Sequence, residues 1–386
     1  MKRICFVGLY EEFNMGDPVI AHCTEWLFTK DIPDVEIVRL TLDKPDKELR
    51  RSFVFRVKNK IRMLLGWKLT NDKLAMKVFP KALKYYRDRI KDCDLVILVG
   101  GGLIKYKYQM LGVETAALCE ACSLEEKNLI INAVGIESYD GDNMICKMIS
   151  KALQNNSVKY ISTRDDLELL KSSYLKGNTH VVCEKVADPA VWANEAYAIS
   201  KDQTSKMIGV GIGRAGLFMA NDINISGNEI QDLYERIVVE LVNRKFTVQL
   251  FTNGLLSDNS MAERVKKRLQ DRGIQVSLRV PHKDRDLVEI LSSYQAVIAT
   301  RLHSCIISYS LEIPAVGLVW NDKLSFFGEN IGRRDNYIKP SDFDESFIVN
   351  QMEEAIKKGY DQNQKKIFRD TIIKSVNNLQ NQYIQV

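Results

Sequence analysis

An arginine and a histidine, two residues apart, follow a short apolar strand near residue 300. The strand 296–299 is followed by Arg301 and His303, just where a helical pattern begins. In an extended chain, residues two apart point to the same side, so both side chains would reach one volume beside the first amides of the helix. An anion held there would have a proton donor next to it, because histidine titrates near neutral pH.

Glycine-rich turns follow two other strand patterns. Gly100, Gly101 and Gly102 come after an apolar run, where bare backbone could approach an anion or simply form a tight turn. Gly213 and Arg214 follow the first strand of the second half of the chain. Neither stretch has the spacing of a Walker A loop or of GxGxxG, so neither predicts a nucleotide site by itself.

A further strand end has an unusual order of charges. The β-branched strand 158–163 is followed by Arg164, and Asp165 and Asp166 then begin a helix. Aspartate favours the N-terminus of a helix, whereas arginine opposes the helix dipole there. We therefore expect Arg164 either to bind an anion or to bridge to a nearby aspartate.

The segment after the first strand has the residues of a turn and a helix start. Asn14 and Asp17 are typical of a turn and an N-cap, with Pro18 at the first helical position. Capping alone explains Asp17. It does not explain the whole of Asn14 to Asp17, including Gly16, so a role facing the substrate stays open.

Short apolar runs alternate with amphipathic helical patterns along the chain, which is a βαβ rhythm. A polar stretch without strong periodicity, 191–206, separates two such series. We predict an α/β fold with two doubly wound, Rossmann-like domains, 1–195 and 206–386, that face each other across a cleft. Ligands of such sheets bind outside the carboxyl ends of the strands. The last helix could pack back on the N-terminal domain.

Composition narrows the class of protein. The chain has 386 residues, of which 45% are hydrophobic and 27% charged, as in ordinary globular proteins. It shows neither a signal peptide nor a run of about 18 uncharged apolar residues. Its eight cysteines are scattered, which suits a reducing compartment, so we expect a cytoplasmic protein. No cluster of residues has metal-ligand spacing, and we expect a reaction without a metal.

One segment is strongly basic. From Lys47 to Lys91 there are 15 basic and 3 acidic residues, within an insert at about 45–91. Its stretch 50–69 mixes Arg and Lys with Phe, Val, Leu and Trp67. This pattern predicts either a solvated basic helix packed on the first domain or contact of segment 50–91 with the inner-membrane surface. No nucleic-acid recognition motif accompanies the charge, so we expect no nucleic-acid partner.

Six short motifs, in this order, resemble those of the polysaccharide pyruvyl transferase family. They span most of the chain: Asn14-Met15-Gly16-Asp17, Gly100-Gly101-Gly102, Ser162-Thr163-Arg164-Asp165, Asp188-Pro189-Ala190, Arg301-Leu302-His303, and Lys323 after Trp320-Asn321-Asp322. The Arg-Leu-His motif with its downstream proline and lysine is the most specific of them.

The resemblance implies a GT-B-like architecture and transfer of the enolpyruvyl group of phosphoenolpyruvate to a sugar. The product would be a cyclic ketal on a bacterial surface polysaccharide or its lipid-linked precursor, with release of phosphate. Phosphoenolpyruvate is then a co-substrate, and no cofactor is expected. The implied donor-binding residues are Arg164, Arg301, Leu302 and Lys323. The implied catalytic residues are His303, for proton transfer, and Asp17, for the acceptor. The implied acceptor or loop contacts are Asn14, Gly16, Gly101, Gly102, Arg214 and Trp320.

The chain also departs from the family pattern at Phe13, at Pro18 and in the stretch 320–323. These changes leave the acceptor sugar open. Two alternatives remain. One is a GT-B glycosyltransferase that uses a nucleotide sugar, for which Glu312 or Glu329 could bind the ribose. The other is a non-catalytic glycan-binding protein of polysaccharide assembly.

Overall fold

The computed structural model describes residues 2–11, 14–54, 57, 70–107, 110–221 and 223–384. The chain divides into two compact units. Unit 1 comprises Met1–Glu11, Thr24–Asp188 and Thr371–Val386, and unit 2 comprises Glu12–Cys23 and Pro189–Asp370. Each unit contains its own parallel sheet, and both sheets have helices packed on them.

Unit 1 is built on a sheet of six parallel strands. The strands β1 to β6 are Lys2–Gly8, Val35–Thr41, Leu95–Val99, Asn128–Val134, Val158–Thr163 and Val182–Lys185. Their order across the sheet is β2-β1-β3-β4-β5-β6. The central strand β3 is buried along its whole length, which explains its continuous apolar sequence, because helices cover both faces of a parallel sheet.

The helices that begin in the first half of the chain alternate in sequence with the strands of unit 1. They are α1 Gly16–Thr29, α2 Lys44–Arg51, α3 Asn71–Ile90, α4 Leu111–Leu124, α5 Met144–Leu153 and α6 Leu167–Leu169. In α3 the residues Leu74, Val78, Ala82, Tyr86 and Ile90 are buried. Their spacing of four places them on one face of the helix, which belongs to the core of unit 1, while Lys73, Lys81 and Lys84 are exposed.

Unit 2 repeats the architecture with a second sheet of six parallel strands. The strands β7 to β12 are Met207–Gly211, Thr247–Phe251, Ser277–Arg279, Ala296–Ala299, Ala315–Leu318 and Tyr337–Ile338. Their order is β12-β11-β10-β7-β8-β9. The helices α7 to α15 are Ala193–Tyr197, Gly216–Met219, Gly227–Asn243, Leu256–Asp271, Asp284–Ser292, Leu302–Ser310, Asp322–Asn330, Glu345–Lys358 and Gln362–Tyr383.

The division of the chain differs from the predicted one. The change of unit falls between Asp188 and Pro189, before the predicted stretch 191–206. Among the contacts that tie this stretch to unit 2, the backbone N–H of Asn194 donates to Ser310 Oγ at 2.8 Å. The early segment Glu12–Cys23 also belongs to unit 2, and the last helix belongs to unit 1 from Thr371 onward.

The basic segment is described only in part. Helices α2 and α3 lie within it, whereas Trp67 and the rest of 58–69 lie outside the described residues. Within the described ranges, no helix is long and apolar enough to cross a lipid bilayer.

Candidate active site

The adjacent strands β7 and β10 mark the switch point of the sheet in unit 2. From β7 the chain continues to β8 and β9 on one side, and from β10 to β11 and β12 on the other. The two strands end side by side, because Gly211 pairs with Ala299. Ligands of doubly wound sheets bind outside the carboxyl ends of the strands at such a point. The residues after β7 and β10 are therefore the first candidates for a site.

Arg301 and His303 both follow β10, but not in the predicted conformation. Arg301 is extended, with φ −89° and ψ 127°, and α12 begins at the next residue. His303 is therefore already helical, and the expectation that both side chains lie on one side of an extended chain was wrong. The directions of the two side chains are set by their separate contacts instead.

The imidazole of His303 packs against the backbone of Gly16, the first residue of α1. His303 is 8% exposed. A Cβ atom at Gly16 would lie 2.3 Å from Nδ1 and 2.5 Å from Cγ of His303, far inside van der Waals contact. Glycine is therefore the residue that leaves room for the ring, and the structure brings these two predicted site residues together.

The residues around Gly16 differ slightly from the expected cap. Helix α1 begins at Gly16, so Asp17 lies in its first turn rather than before it. Asn14 Nδ2 donates a hydrogen bond to Asp17 Oδ2 at 2.9 Å. Asn14 Oδ1 is buried and has no hydrogen-bond partner among the described residues. The carboxylate of Asp17 is thus oriented by Asn14, in the first turn of the helix whose first residue packs against His303.

Arg301 is held by a carboxylate that sequence reasoning did not identify. Its Nε and Nη2 donate to the two oxygens of Asp258, each at 2.8 Å. Asp258 is fully buried and also accepts the backbone N–H of Arg214 at 3.0 Å. Arg301 Nη1 has no hydrogen-bond partner among the described residues and is the nitrogen left for a ligand. The side chain of Arg214 reaches Ser257 Oγ at 3.2 Å.

Buried hydrogen bonds fix the backbone where β7 and β10 end. The hydroxyl of Tyr234 bonds to the N–H and the carbonyl of Gly213, at 3.0 and 3.1 Å, and to Thr300 Oγ1 at 2.6 Å. Burial raises the pKa of Tyr234 to about 12, so this hydroxyl stays protonated at neutral pH. Trp320 Nε1 donates to the carbonyl of Thr300 at 2.6 Å, so Trp320 contacts the loop that follows β10.

Two predicted donor ligands lie at helix starts of unit 2. Leu302 is the first residue of α12, and Lys323 is the second residue of α13; both are half-buried. The first turn of a helix has free amides and a positive partial charge, which favours anions. Their contact with a donor stays a prediction.

In unit 1, Arg164 bridges to an aspartate. Arg164 Nη1 donates to Asp188 Oδ2, and Arg164 Nε lies 3.9 Å from Asp165 Oδ1. All three residues are buried. The bridge is one of the two arrangements expected for this arginine, and its role as a donor ligand stays a prediction.

The glycine run of unit 1 forms a tight turn. Gly100 and Gly101 have φ of 53° and 78°, a region that favours glycine. The carbonyl of Gly101 accepts the N–H of Gly135 at 2.7 Å, and a Cβ atom at Gly135 would lie 3.2 Å from Gly102 Cα. Close packing of the two turns therefore accounts for these glycines, and contact of Gly101 and Gly102 with a ligand stays a prediction.

Across the described part of the chain, no group of three or more His, Cys, Asp or Glu residues is placed to hold a metal ion.

A family model of polysaccharide pyruvyl transferases matches residues 14–322. The match covers most of the chain and contains the whole cluster around His303, while Lys323 lies one residue beyond it. The chain belongs to the polysaccharide pyruvyl transferase family. A search of curated proteins found no significant match to the sequence.

Solved structures similar to this family member include UDP-N-acetylglucosamine 2-epimerases. The enzyme from Methanocaldococcus jannaschii has a TM-score of 0.58 at 11% identity, over 98% of this chain and 99% of that one. The enzyme from Neisseria meningitidis, bound to UDP-GlcNAc, has a TM-score of 0.53 at 14% identity, over 97% and 100%. At such identities the likeness concerns the fold alone. It confirms the predicted GT-B-like class of two doubly wound α/β units.

Three residues of this pyruvyl transferase family member were missed by sequence reasoning. They are Asp258, which holds Arg301, and Asn253 and Ser304, whose side chains bond each other at 2.7 Å, with Ser304 next to His303 in the chain. Asn253 follows the apolar strand β8, and polar residues at strand ends were the signal that identified Arg301 and Arg164. The same rule could have found Asn253. Asp258 looks like an ordinary acidic residue in the first turn of α10, and Ser304 like an ordinary helix residue, so neither had a signal of its own.

Proposed function

We propose that this pyruvyl transferase family member moves the enolpyruvyl group of phosphoenolpyruvate onto a sugar and releases phosphate. The observation that carries the proposal is the packing of His303 against Gly16. His303 lies in the first turn of α12, beside the switch point of unit 2. A buried imidazole next to an arginine and two helix starts is suited to a substrate with two anionic groups and a proton to be transferred.

Phosphoenolpyruvate carries a carboxylate and a phosphate, so its site must supply several donors. Arg301 offers Nη1, because its other two nitrogens bond Asp258. The first amides of α12 and the ammonium of Lys323 supply the rest in unit 2. Asp258 neutralises part of the positive charge of Arg301, so the arginine contributes geometry more than net charge. Arg164 is proposed as a further donor ligand on the resemblance alone.

The proposed chemistry balances without a cofactor. A proton is added to the methylene carbon of phosphoenolpyruvate, which leaves an oxocarbenium centre at C2. One sugar hydroxyl adds to C2 and loses its proton. Phosphate then leaves with its electron pair, and a second hydroxyl closes the ketal and loses its proton. We assign delivery of the first proton to His303, and activation of a hydroxyl to Asp17, which Asn14 orients.

The test is phosphate release from phosphoenolpyruvate with a panel of galactose and N-acetylhexosamine acceptors, free and lipid-linked. Thermal unfolding is measured in parallel with phosphoenolpyruvate or UDP-N-acetylglucosamine. We expect release that depends on an acceptor. We also expect stabilisation by phosphoenolpyruvate of about 2.7 kcal/mol at about 100 times its Kd. The UDP sugar should give no shift.

Stabilisation by the UDP sugar alone would overturn the proposal in favour of a nucleotide-sugar glycosyltransferase, whose fold is shared. Binding of glycan with neither shift nor release would favour a non-catalytic glycan-binding protein. Release that requires a lipid-linked acceptor would identify the precursor, rather than the finished polysaccharide, as the substrate.

We further propose that unit 1 touches the cytoplasmic face of an anionic membrane, where a lipid-linked acceptor would be reached. The outer face of α3 carries Lys73, Lys81 and Lys84, all exposed, and none has an ion-pair partner within the described ranges. Helix α2 packs on α3, and Phe53 and Val54, which follow α2, are 80% and 60% exposed. Basic residues with exposed apolar side chains are typical of helices that lie on anionic bilayers.

Neutralising the three lysines tests this surface. Each basic residue near an anionic bilayer contributes about 1 kcal/mol. The triple variant Lys73→Gln/Lys81→Gln/Lys84→Gln should therefore bind vesicles with anionic lipid about 100-fold more weakly at low salt. Co-sedimentation with phosphatidylglycerol vesicles measures this. The triple variant Arg264→Gln/Lys266→Gln/Lys267→Gln on α10 makes the same change in net charge and should bind like the wild type. Equal losses in both variants, or no binding by the wild type, would contradict the proposal.

A further inference from the structure

Asn253 bonds two segments of the cluster around His303, although it belongs to none of the six predicted motifs. It follows β8, the strand next to β7 in the sheet of unit 2. Its side chain is 1% exposed. Its backbone carbonyl accepts the N–H of Met15 at 2.9 Å, and its Oδ1 accepts the hydroxyl of Ser304 at 2.7 Å.

The two hydrogen bonds of Asn253 go to the two segments that meet at the imidazole of His303. Met15 precedes Gly16, whose backbone forms one wall against the ring of His303. Ser304 follows His303 in the first turn of α12. Asn253 therefore links the segment that packs against the imidazole to the helix turn that carries it. The distance between these two segments depends on Asn253.

We propose that Asn253 is a positioning residue that fixes the imidazole of His303. Its importance for catalysis rests on the proposed pyruvyl transfer, whereas its hold on the ring does not. The amide Nδ2 supports the assignment, because it is buried and has no hydrogen-bond partner among the described residues. A buried donor without an acceptor costs folding free energy, so packing alone would be served better by an apolar residue.

The position of the ring can be read without substrate. The chain has four histidines, so labelling with ¹³C at Cε1 gives four imidazole signals. The signal of His303 is the one that His303→Gln removes. We expect Ser304→Ala and Asn253→Ala each to shift or split that signal. The signals of His180 and His282 should stay in place, because the backbone N–H groups of these residues bond Asn178 and Asp286, which lie outside these segments.

A matched control exists on the same helix. The hydroxyl of Ser310 donates to Asn194 Oδ1 at 2.7 Å, and both serines are fully buried. Ser310→Ala therefore removes a Ser–Asn side-chain bond at the far end of α12, together with the bond from the backbone N–H of Asn194, and should leave the His303 signal unchanged. If Asn253→Ala does not fold, Ser304→Ala decides the question, because it deletes one oxygen atom only.

Kinetics provides the second readout. A displaced catalytic group affects the chemical step, so Ser304→Ala should lower kcat for phosphate release by about 10- to 100-fold. The KM for phosphoenolpyruvate should change by less than about twofold, because Arg301 is untouched. An unmoved His303 signal in both variants would overturn the positioning role. A moved His303 signal in a protein without transferase activity would support the positioning role and refute only the proposed function.

Discussion

Replacing Asp258 with alanine should lower the free energy of unfolding by about 3–5 kcal/mol. Asp258 is fully buried and bonds both Nε and Nη2 of Arg301, whose side chain is 11% exposed. Without the carboxylate, the guanidinium stays buried without its counter-charge, and the N–H of Arg214 loses its acceptor. Denaturant unfolding of the wild type and the variant measures the difference.

The control for this prediction is a second aspartate paired with an arginine. Asp232 lies 2.9 Å from Arg268, and both side chains are nearly half exposed. Solvent screens such a pair, so Asp232→Ala should cost only about 0–1 kcal/mol. The double variant Asp258→Leu/Arg301→Met removes both buried charges and should recover most of the lost stability. A cost for Asp258→Ala no larger than for Asp232→Ala would mean that Arg301 is not held by Asp258.

The pairing with Asp258 also explains how the side chain of Arg301 is held in place before a substrate binds. A guanidinium bound on two nitrogens has lost most of its rotational freedom, so less entropy is lost when a ligand binds to the third nitrogen. The motif around Arg301 was visible in the sequence. Its partner was not, because the pair joins residues 43 positions apart whose contact depends on the packing of α10 against the sheet.

The two sheets were predictable because each depends on local pattern. Strands such as β3 are continuous apolar runs, and helices such as α3 bury a residue at every third or fourth position. The membership of the segment Glu12–Cys23 was not predictable in this way. His22 stacks on Tyr197 with ring centroids 4.3 Å apart, and Met15 bonds Asn253. Such contacts between distant positions leave no trace in the periodicity of either segment.

The same limit applies to the candidate site. Gly16 and His303 were both identified as site residues, yet nothing in either motif indicated that one packs on the other. The directions inferred for Arg301 and His303 were wrong because the helix begins at Leu302, so the chain between the two residues is not extended. Residue types at strand ends therefore predicted which residues belong to the site, and the fold was needed to show how they are arranged.

Gly16→Ala should lower the rate of phosphate release by about 10²- to 10⁴-fold, as much as His303→Gln, while the protein stays folded. The new Cβ would lie 2.3–2.6 Å from three atoms of His303, and the ring must move. The backbone tolerates alanine, because Gly16 starts a helix and has no positive φ. Initial rates and the thermal midpoint are measured on the same preparations.

Gly227→Ala is the matched control for Gly16→Ala, because Gly227 is also the first residue of a helix in unit 2. Among the described residues, a Cβ atom there would meet Ala215 Cβ alone, at 3.7 Å, an ordinary contact. This variant should keep wild-type rates and gain slightly in stability. If Gly16→Ala also kept its activity, the imidazole would not need its place against α1, and the proton would have to come from another group. If both His303→Gln and Gly16→Ala abolished release, the position of the imidazole against Gly16 would be as necessary as the imidazole itself.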